Sequence, residues 1–428
     1  INNLSRVSSL QKVIAWFSVR GFKNTKKSIK EIADELGVAA ILTGTMERHS
    51  GSFRVIAELI DVSTNKRLWG QDYTYNDKDI LSIQSNLAGK ITSALRASIT
   101  PEEKQTLAKH YTENIEAYKF YLRGRSYWNA TVAESIDSAE ANYKRAIELE
   151  PNYAMAYAGL ADCHAVPYKG LSPLIEVPVA KAYLQKALSL DSNLSEALTT
   201  FGFIQQNFYY NWIGAKMNLE KAISLDPNNY AAHMFYGLLL INSGLDKKRS
   251  LEEFKKAVDL NPLSYFVNWN YSRNLYFAGE YELSIQQFNK MKSLSSKPNY
   301  VIDFSLGLIY LKQHNFGKAK EFFDKLPLNG SQVDDPQIMQ SYGYAIMRDT
   351  MKAKRIFNET LKKYSNLSHY RNSQVYIALG NDDEALKELE LGYESRDDHM
   401  FWIKADPAFD PIRNEPQFKA LLQKMNLE

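Results

Sequence analysis

Apolar and polar positions follow two different patterns along this chain. Up to about residue 100, runs of strand length alternate with stretches of helical period. Asn2 to Leu10 reads as a short helix, and Val13 to Val19 as an apolar run of strand length closed by Gly21. Ser28 is placed to cap a helix through Leu36, with Glu31 completing a capping box and Gly37 at its C-terminal stop. Ala39 to Arg48 and Phe53 to Val62 read as strands joined by the turn His49-Ser50-Gly51-Ser52. Arg67 to Tyr75 is a third strand after the turn Ser63-Thr64-Asn65-Lys66. Asp77 or Asp79 then caps a helix from about Ile80 to Ile99, whose Ile80, Ile83, Leu87, Ile91 and Leu95 form one stripe. The expected unit is α/β, an antiparallel meander with helices on its faces.

From Asn114 onward the strand pattern gives way to a repeat. Ala146-x4-Pro151, Ala187-x4-Ser192, Ala222-x4-Pro227 and Ala257-x4-Pro262 recur at intervals of 41, 35 and 35 residues. Upstream of each stands a bulky residue followed closely by a small one: Tyr121 and Gly124, Leu160 and Ala161, Phe201 and Gly202, Tyr236 and Gly237. Weaker copies follow at Leu306-Gly307, Tyr342-Gly343 and Ala378-Leu379-Gly380. Two antiparallel helices approach closely only where small residues meet, and bulky neighbours three or four positions away fill the flanks. Proline then stops the second helix. No single hairpin buries its apolar face alone, so such units stack into a solenoid. The first hairpin carries extra residues around Thr131–Ile136, and the second carries more in Val166–Ser172, which predicts an extended or kinked hairpin. The fifth has Ser272, Ser284 and Met291 at its small positions and is expected to splay.

The repeat resembles the tetratricopeptide family, which implies a right-handed superhelix of about eight hairpins over residues 114–428. The N-terminal stretch carries a second resemblance. Ile32-Ala33-Asp34-Glu35-Leu36-Gly37-Val38, Leu42-Thr43-Gly44-Thr45-Met46, Ala57-Glu58-Leu59-Ile60-Asp61, Leu68-Trp69 and Asp79-Ile80-Leu81-Ser82-Ile83-Gln84 are similar to the TolB-amino-terminal-like (FlgO-like) domain. That likeness covers residues 1–100, leaving 101–113 as a linker, and departs from the family in lacking its first strand. The chain opens on Ile1 in mid-domain and reads as a fragment. The two resemblances together imply the regulatory half of a bacterial signalling protein. Its output domain would be a nucleotide cyclase, protein kinase or winged-helix regulator upstream, with a lean toward the exported side of an anchored protein.

Composition narrows the chemistry. The 52 basic and 49 acidic residues leave a net charge of +3, without the electrostatic footprint of a nucleic-acid binder. One cysteine, Cys163, provides neither a disulfide nor a thiolate metal site, and reads as a buried, inert thiol. The histidines are scattered, with no pair at metal-ligand spacing, and no phosphate-binding or nucleophile-elbow motif is present. The acidic pairs Glu102-Glu103, Asp334-Asp335, Asp382-Asp383 and Asp397-Asp398 read as helix caps. No catalytic, cofactor or metal residue is therefore assigned.

What remains is a surface. In a tetratricopeptide superhelix the first helix of each hairpin lines the inner groove. On this register the resemblance places Phe203, Asn207, Met234, Leu238, Asn242, Trp269, Arg273, Tyr276, Phe304, Lys312, Tyr344 and Arg348 there. Aromatic, amide and basic groups suit an extended peptide, and the basic members favour an acidic or carboxylate-ended one. The alternative, that some of these residues pack against neighbouring hairpins, stays open at this point. The expected partner is a protein or peptide, a homodimer is left open, and membrane attachment would come only through an upstream span. A scaffold for an envelope complex is the rival reading. An enzyme working between the α/β unit and the first repeats is a second rival, which perturbed carboxylates sharing one cleft would favour.

Overall fold

The protein is described from a computed structural model, covering all residues except 1, 77–79, 110, 130–132, 166–171, 295–298, 328–335 and 365–366. The N-terminal part holds α1 (Asn2–Ser5), α2 (Trp16–Val19), α3 (Ile29–Leu36), β1 (Ala40–His49), β2 (Ser52–Asp61), β3 (Lys66–Asn76), α4 (Ile80–Ala94) and α5 (Pro101–Ala108). Eight hairpins follow among the described residues. They pair α6 (Ile115–Trp128) with α7 (Ala133–Leu149), α8 (Ala154–Ala165) with α9 (Pro173–Leu190), and α10 (Ser195–Asn207) with α11 (Trp212–Leu225). Next come α12 (Tyr230–Asn242) with α13 (Lys247–Leu260), α14 (Tyr265–Ala278) with α15 (Tyr281–Leu294), and α16 (Tyr300–Lys312) with α17 (Phe316–Asp324). Last are α18 (Pro336–Ile346) with α19 (Thr350–Lys363) and α20 (His369–Ala378) with α21 (Asp382–Ser395). Two 3-10 turns, Met400–Trp402 and Pro407–Ile412, lead to α22 (Pro416–Lys424).

The three strands form an antiparallel sheet in the order β1-β2-β3, with Leu42 opposite Leu59 and Leu59 opposite Trp69. Helix α3 starts and stops as its sequence predicts. Ser28 accepts the Glu31 N–H while the Glu31 carboxylate takes the Ser28 N–H, and Gly37 adopts φ +62°. The expected caps at Asp77 or Asp79 and at Asp334-Asp335 lie outside the described residues, as does most of the insertion Val166–Ser172. Part of the expected linker is the helix α5, capped by Thr100 and Glu103.

The Val13–Val19 run is not a strand. Its backbone and side-chain groups are taken by the solenoid: Ala15 N–H donates to Leu260 O at 2.8 Å and Val13 N–H to Asn228 Oδ1 at 3.1 Å. Ser18 Oγ bonds Asn261 Oδ1 at 2.6 Å and accepts Leu263 N–H at 3.0 Å. With its partners on the inter-hairpin turns rather than a sheet edge, the segment coils into α2. A hydrophobic run reports that it will be covered, not by what.

In the solenoid, Asn114, Asn211, Asn229, Asp246, Ser264, Asn299, Asn315, Asp349 and Ser368 each cap a helix through the side chain. The four alanine anchors Ala146, Ala187, Ala222 and Ala257 are wholly buried. The glycine opposite is there to admit a large side chain. A Cβ on Gly124 would stand 2.6 Å from the Tyr143 ring, on Gly202 2.6 Å from Leu219, on Gly237 2.9 Å from Phe254 and on Gly307 2.5 Å from Phe323. The fifth hairpin does not splay. Ser284 Oγ donates to Ser272 O at 2.7 Å, and both serines and Met291 are fully buried, so hydroxyls close the crossing that alanine closes elsewhere. In the eighth, α20 ends at Ala378 and Gly380 turns with φ +76°, so the small buried residue within the helix is Ser373.

Beyond α21 the chain folds back along the inner face of the solenoid. Met400, Ile403, Phe409, Ile412, Phe418 and Met425 are wholly buried in one cluster with Trp212, Met234, Leu238 and Tyr370. Trp212 Nε1–H donates to Met425 O at 2.8 Å, Lys404 Nζ to Ser243 O at 3.1 Å, and Asn426 Nδ2 to Tyr210 O at 3.2 Å. Among the described residues no helix is long and apolar enough to cross a membrane.

Candidate functional site

The inner face divides into two regions with different contents. Its distal region, over the fourth to eighth hairpins, is filled by the C-terminal segment. The Arg273 guanidinium lies 3.4 Å from the Trp402 ring centroid and is 8% exposed, with Trp269 edge-on to Trp402 at 5.9 Å. Met234 is buried in the same cluster, and Phe203 packs on Phe235 at 4.7 Å. Asn207 and Asn242 are buried. Trp269, Arg273, Tyr276 and Phe304 surround a residual cavity of only about 30 Å³, closed by Asp406 of the C-terminal segment. Three others point elsewhere. Tyr344 donates its hydroxyl to Asp324 under the Lys352 ammonium, Lys312 is exposed at the end of α16, and Arg348 is exposed with φ +66° just past α18.

The proximal region, over the first four hairpins, holds a cavity of about 680 Å³, within the range of ligand sites. Its inner wall is Tyr118, Tyr121, Leu122 and Arg125 of α6, with Tyr153, Met155, Glu196 and Tyr230. Its outer wall is the N-terminal unit, with Leu4, Val13, Trp16, Leu42, Leu87 and Ile91. Tyr121, Arg125, Met155 and Glu196 were reachable from the sequence. They sit three before, one after, six before and six before the small residues Gly124, Gly124, Ala161 and Gly202, the same offsets that select the later groove residues.

Two ion clusters brace this cavity. Arg6 donates to Tyr111 Oη at 2.7 Å and to Glu196 at 3.0 Å, while Ser5 Oγ donates to Asp226 Oδ2 at 2.9 Å. Arg125 donates to Asp162 Oδ2 at 3.2 Å, whose other oxygen accepts from Thr200 at 2.6 Å. Burial pushes the Asp226 carboxyl up to about 6, helped by the Glu196 charge and opposed by Arg6. Burial likewise pushes Asp162 up to about 6 against the pull of Arg125. The phenols of Tyr118, Tyr121 and Tyr153 are raised by burial, so they stay protonated donors.

Elsewhere three histidines are tied to glutamates: His164 to Glu176 at 2.6 Å, His233 to Glu253 at 2.6 Å and His369 to Glu388 at 2.7 Å. Cys163 is buried, its thiol 3.4 Å from Gly159 O. Among the described residues one group, Asp397, Asp398 and His399, brings three ligand-type atoms within 4.8 Å. Asp397 is already committed: its Oδ2 accepts from Ser368 Oγ and Tyr370 N–H at 2.8 and 3.1 Å, and its Oδ1 from His399 N–H at 2.9 Å. That carboxylate caps α20 from the segment after α21, a cap made across a hairpin.

The helical pairing, the glycine-to-ring crossings and the stacked order settle the architecture. The C-terminal part is a tetratricopeptide-repeat solenoid. A solved structure of an IFIT1 monomeric mutant with Gppp-AAAA has a similar fold, with TM-score 0.50 and 13% identity over 81% of this chain and 88% of that one. A TPR repeat-containing protein of Methanocaldococcus jannaschii is 25% identical over 139 residues, 28% of this chain and 24% of that protein. "Putative adenylate cyclase 3" of Rhizobium meliloti is 32% identical over 161 residues, 38% of this chain. The matched region is 27% of that cyclase's length, so the chain spans about a quarter of the curated relatives it matches. No protein-family profile matches the chain.

Proposed function

We propose that this chain is a non-catalytic recognition and regulatory module of a larger signalling protein, binding a peptide segment of its partner in the proximal groove. The observation that carries the reading is the 680 Å³ cavity on the inner face of the first four hairpins, walled by tyrosines on one side and by the N-terminal unit on the other. The stretch shared with a protein named as an adenylate cyclase supports a cyclase as the output domain. The N-terminal unit is read as the TolB-amino-terminal-like domain, with residues 1–100 as that domain, 101–113 as connector and 114–428 as solenoid. A ligand gripped between the two walls changes how the N-terminal unit sits on the solenoid, and that unit adjoins any upstream output domain.

Tyr118→Ala and Leu122→Ala in the full-length gene product test this. Leu122 is exposed and Tyr118 partly so, and the expected result is a changed output activity with an unchanged melting temperature. Unaltered activity in both variants overturns the reading.

Catalysis in the same cleft is the second reading, favoured by the raised Asp226 carboxyl beside Glu196 in the cavity wall. Against it, each carboxylate is already engaged, Asp226 by Ser5, Glu196 by Arg6 and Asp162 by Arg125 and Thr200. Paired groups of this kind perturb titration for structural reasons.

A further inference from the structure

The chain contains its own example of how this inner face grips a segment. In the eighth hairpin Tyr370 and Gln374 stand four residues apart on α20, and both donate to the same carboxylate oxygen of the C-terminal segment. Tyr370 Oη lies 2.6 Å and Gln374 Nε2 2.9 Å from Asp406 Oδ2. Four residues before Asp406 comes Trp402, whose ring carries the Arg273 guanidinium at 3.4 Å. A carboxylate and an upstream aromatic are thus read by a tyrosine, an amide and an arginine, all supplied by first helices of their hairpins.

The first hairpin presents a pair of the same spacing at the same offsets from its small residue. Tyr121 lies three before Gly124 and Arg125 one after, as Tyr370 and Gln374 flank Ser373. Both line the proximal cavity. Tyr121 is 5% exposed and Tyr153, whose ring centroid is 5.3 Å away, is 1% exposed; neither hydroxyl has a hydrogen-bond partner among the described residues. Two phenol hydroxyls carried on buried rings and lining the cavity are the complement of an acceptor brought by a ligand. Arg125 gives an N–H to Asp162, and a guanidinium carries five.

We infer that the proximal cavity takes a peptide segment with a carboxylate about one helical turn after an aromatic, the chemistry of Trp402 and Asp406. The ligand carboxylate accepts from Tyr121 Oη and shares the Arg125 fork with Asp162. Its aromatic ring lies among Tyr118, Tyr153 and Tyr230. This rests on the proposed groove function and names the ligand for it.

The probe is a fluorescein-labelled synthetic peptide of residues 398–410, titrated into the whole 428-residue chain by fluorescence anisotropy. Saturable binding is expected, weakened about tenfold when the peptide carries Asp406→Asn, because one charge-assisted contact is removed. Tyr121→Phe in the protein weakens it by a similar factor. Tyr370→Phe leaves it unchanged, because the distal region is already held by the tethered segment. Asp162→Asn strengthens it several-fold by removing the competing acid from Arg125 while keeping an acceptor for Thr200. Absence of binding at about 1 mM peptide, or binding indifferent to Tyr121→Phe or to the peptide's Asp406→Asn, overturns the proposal. If the peptide fails while Tyr118→Ala still alters the output activity, the ligand chemistry falls and the groove reading survives.

Discussion

The proximal and distal regions of the groove are made from the same helix positions, yet one encloses a cavity and the other is solid. Distally, Trp269, Arg273 and Tyr276 meet a segment of the same chain whose aromatics fill the space down to about 30 Å³. Proximally, Tyr118, Tyr121 and Arg125 face the N-terminal unit across about 680 Å³. The C-terminal segment packs Phe401, Trp402, Phe409 and Phe418 into one buried cluster, whereas the N-terminal unit lines its side of the groove with Leu4, Trp16, Leu42 and Ile91 without filling it. Tetratricopeptide positions therefore define a concave face, and what the rest of the chain lays on that face decides where a ligand has room.

The distal packing is most exposed to damage at Phe409, fully buried against Tyr370 at 5.1 Å and Phe418 at 6.0 Å. Phe409→Ala is expected to cost about 3–5 kcal/mol in urea unfolding, the range for a large cavity in a core. A loss under about 1 kcal/mol would mean that the C-terminal segment only rests on the groove. Arg273→Ala comes next, with about 2 kcal/mol lost from a desolvated cation–π contact and its packing. An unchanged melting temperature would place Arg273 on an open binding face.

On the proximal side, the effect is one of pH. Asp162 and Asp226 bind protons more tightly folded, near 6, than unfolded, near 3.8, so the native state holds the extra protons between those values. Stability therefore falls as pH rises from about 4 to about 6 and levels off above. Asp226→Asn is expected to flatten part of that slope in melts at pH 4.5 and 7. A wild-type slope retained in full would show that Asp226 is not the titrating group.

The smallest effect separates the regions most sharply. Tyr121→Phe removes a hydroxyl with no hydrogen-bond partner among the described residues and should change stability by less than about 0.5 kcal/mol. Tyr370→Phe, which loses the 2.6 Å bond to buried Asp406, should cost about 1–3 kcal/mol. Equal losses would mean that the Tyr121 hydroxyl is satisfied inside the fold.

Much of the architecture was legible beforehand because it is local. The Ala146, Ala187, Ala222 and Ala257 anchors and the α3 capping box are short-range patterns whose geometry follows from helix periodicity and cap chemistry. Where the same job could be done by another chemistry the pattern misled, as when Ser272 and Ser284 closed the fifth hairpin through a hydroxyl bond. The Val13–Val19 run misled for a different reason, since a short apolar stretch fits a strand or a coil covered from outside equally well. For the proximal wall, Tyr121 and Arg125 were not singled out as groove residues beforehand, although the register that gives Phe203 and Asn207 reaches them when extended back to the first hairpin.

By itself, then, the sequence determined which residues pair within each hairpin, since that depends on side chains within about one turn or one hairpin of each other, while the family resemblance implied which helix faces inward. Only the tertiary structure decided what covers that inward face. Contacts such as Trp402 on Arg273, Trp212 to Met425 or Arg6 to Glu196 join positions more than a hundred residues apart. No periodicity encodes such pairings, because they arise only once the solenoid has curved and its two flanking segments compete for the groove.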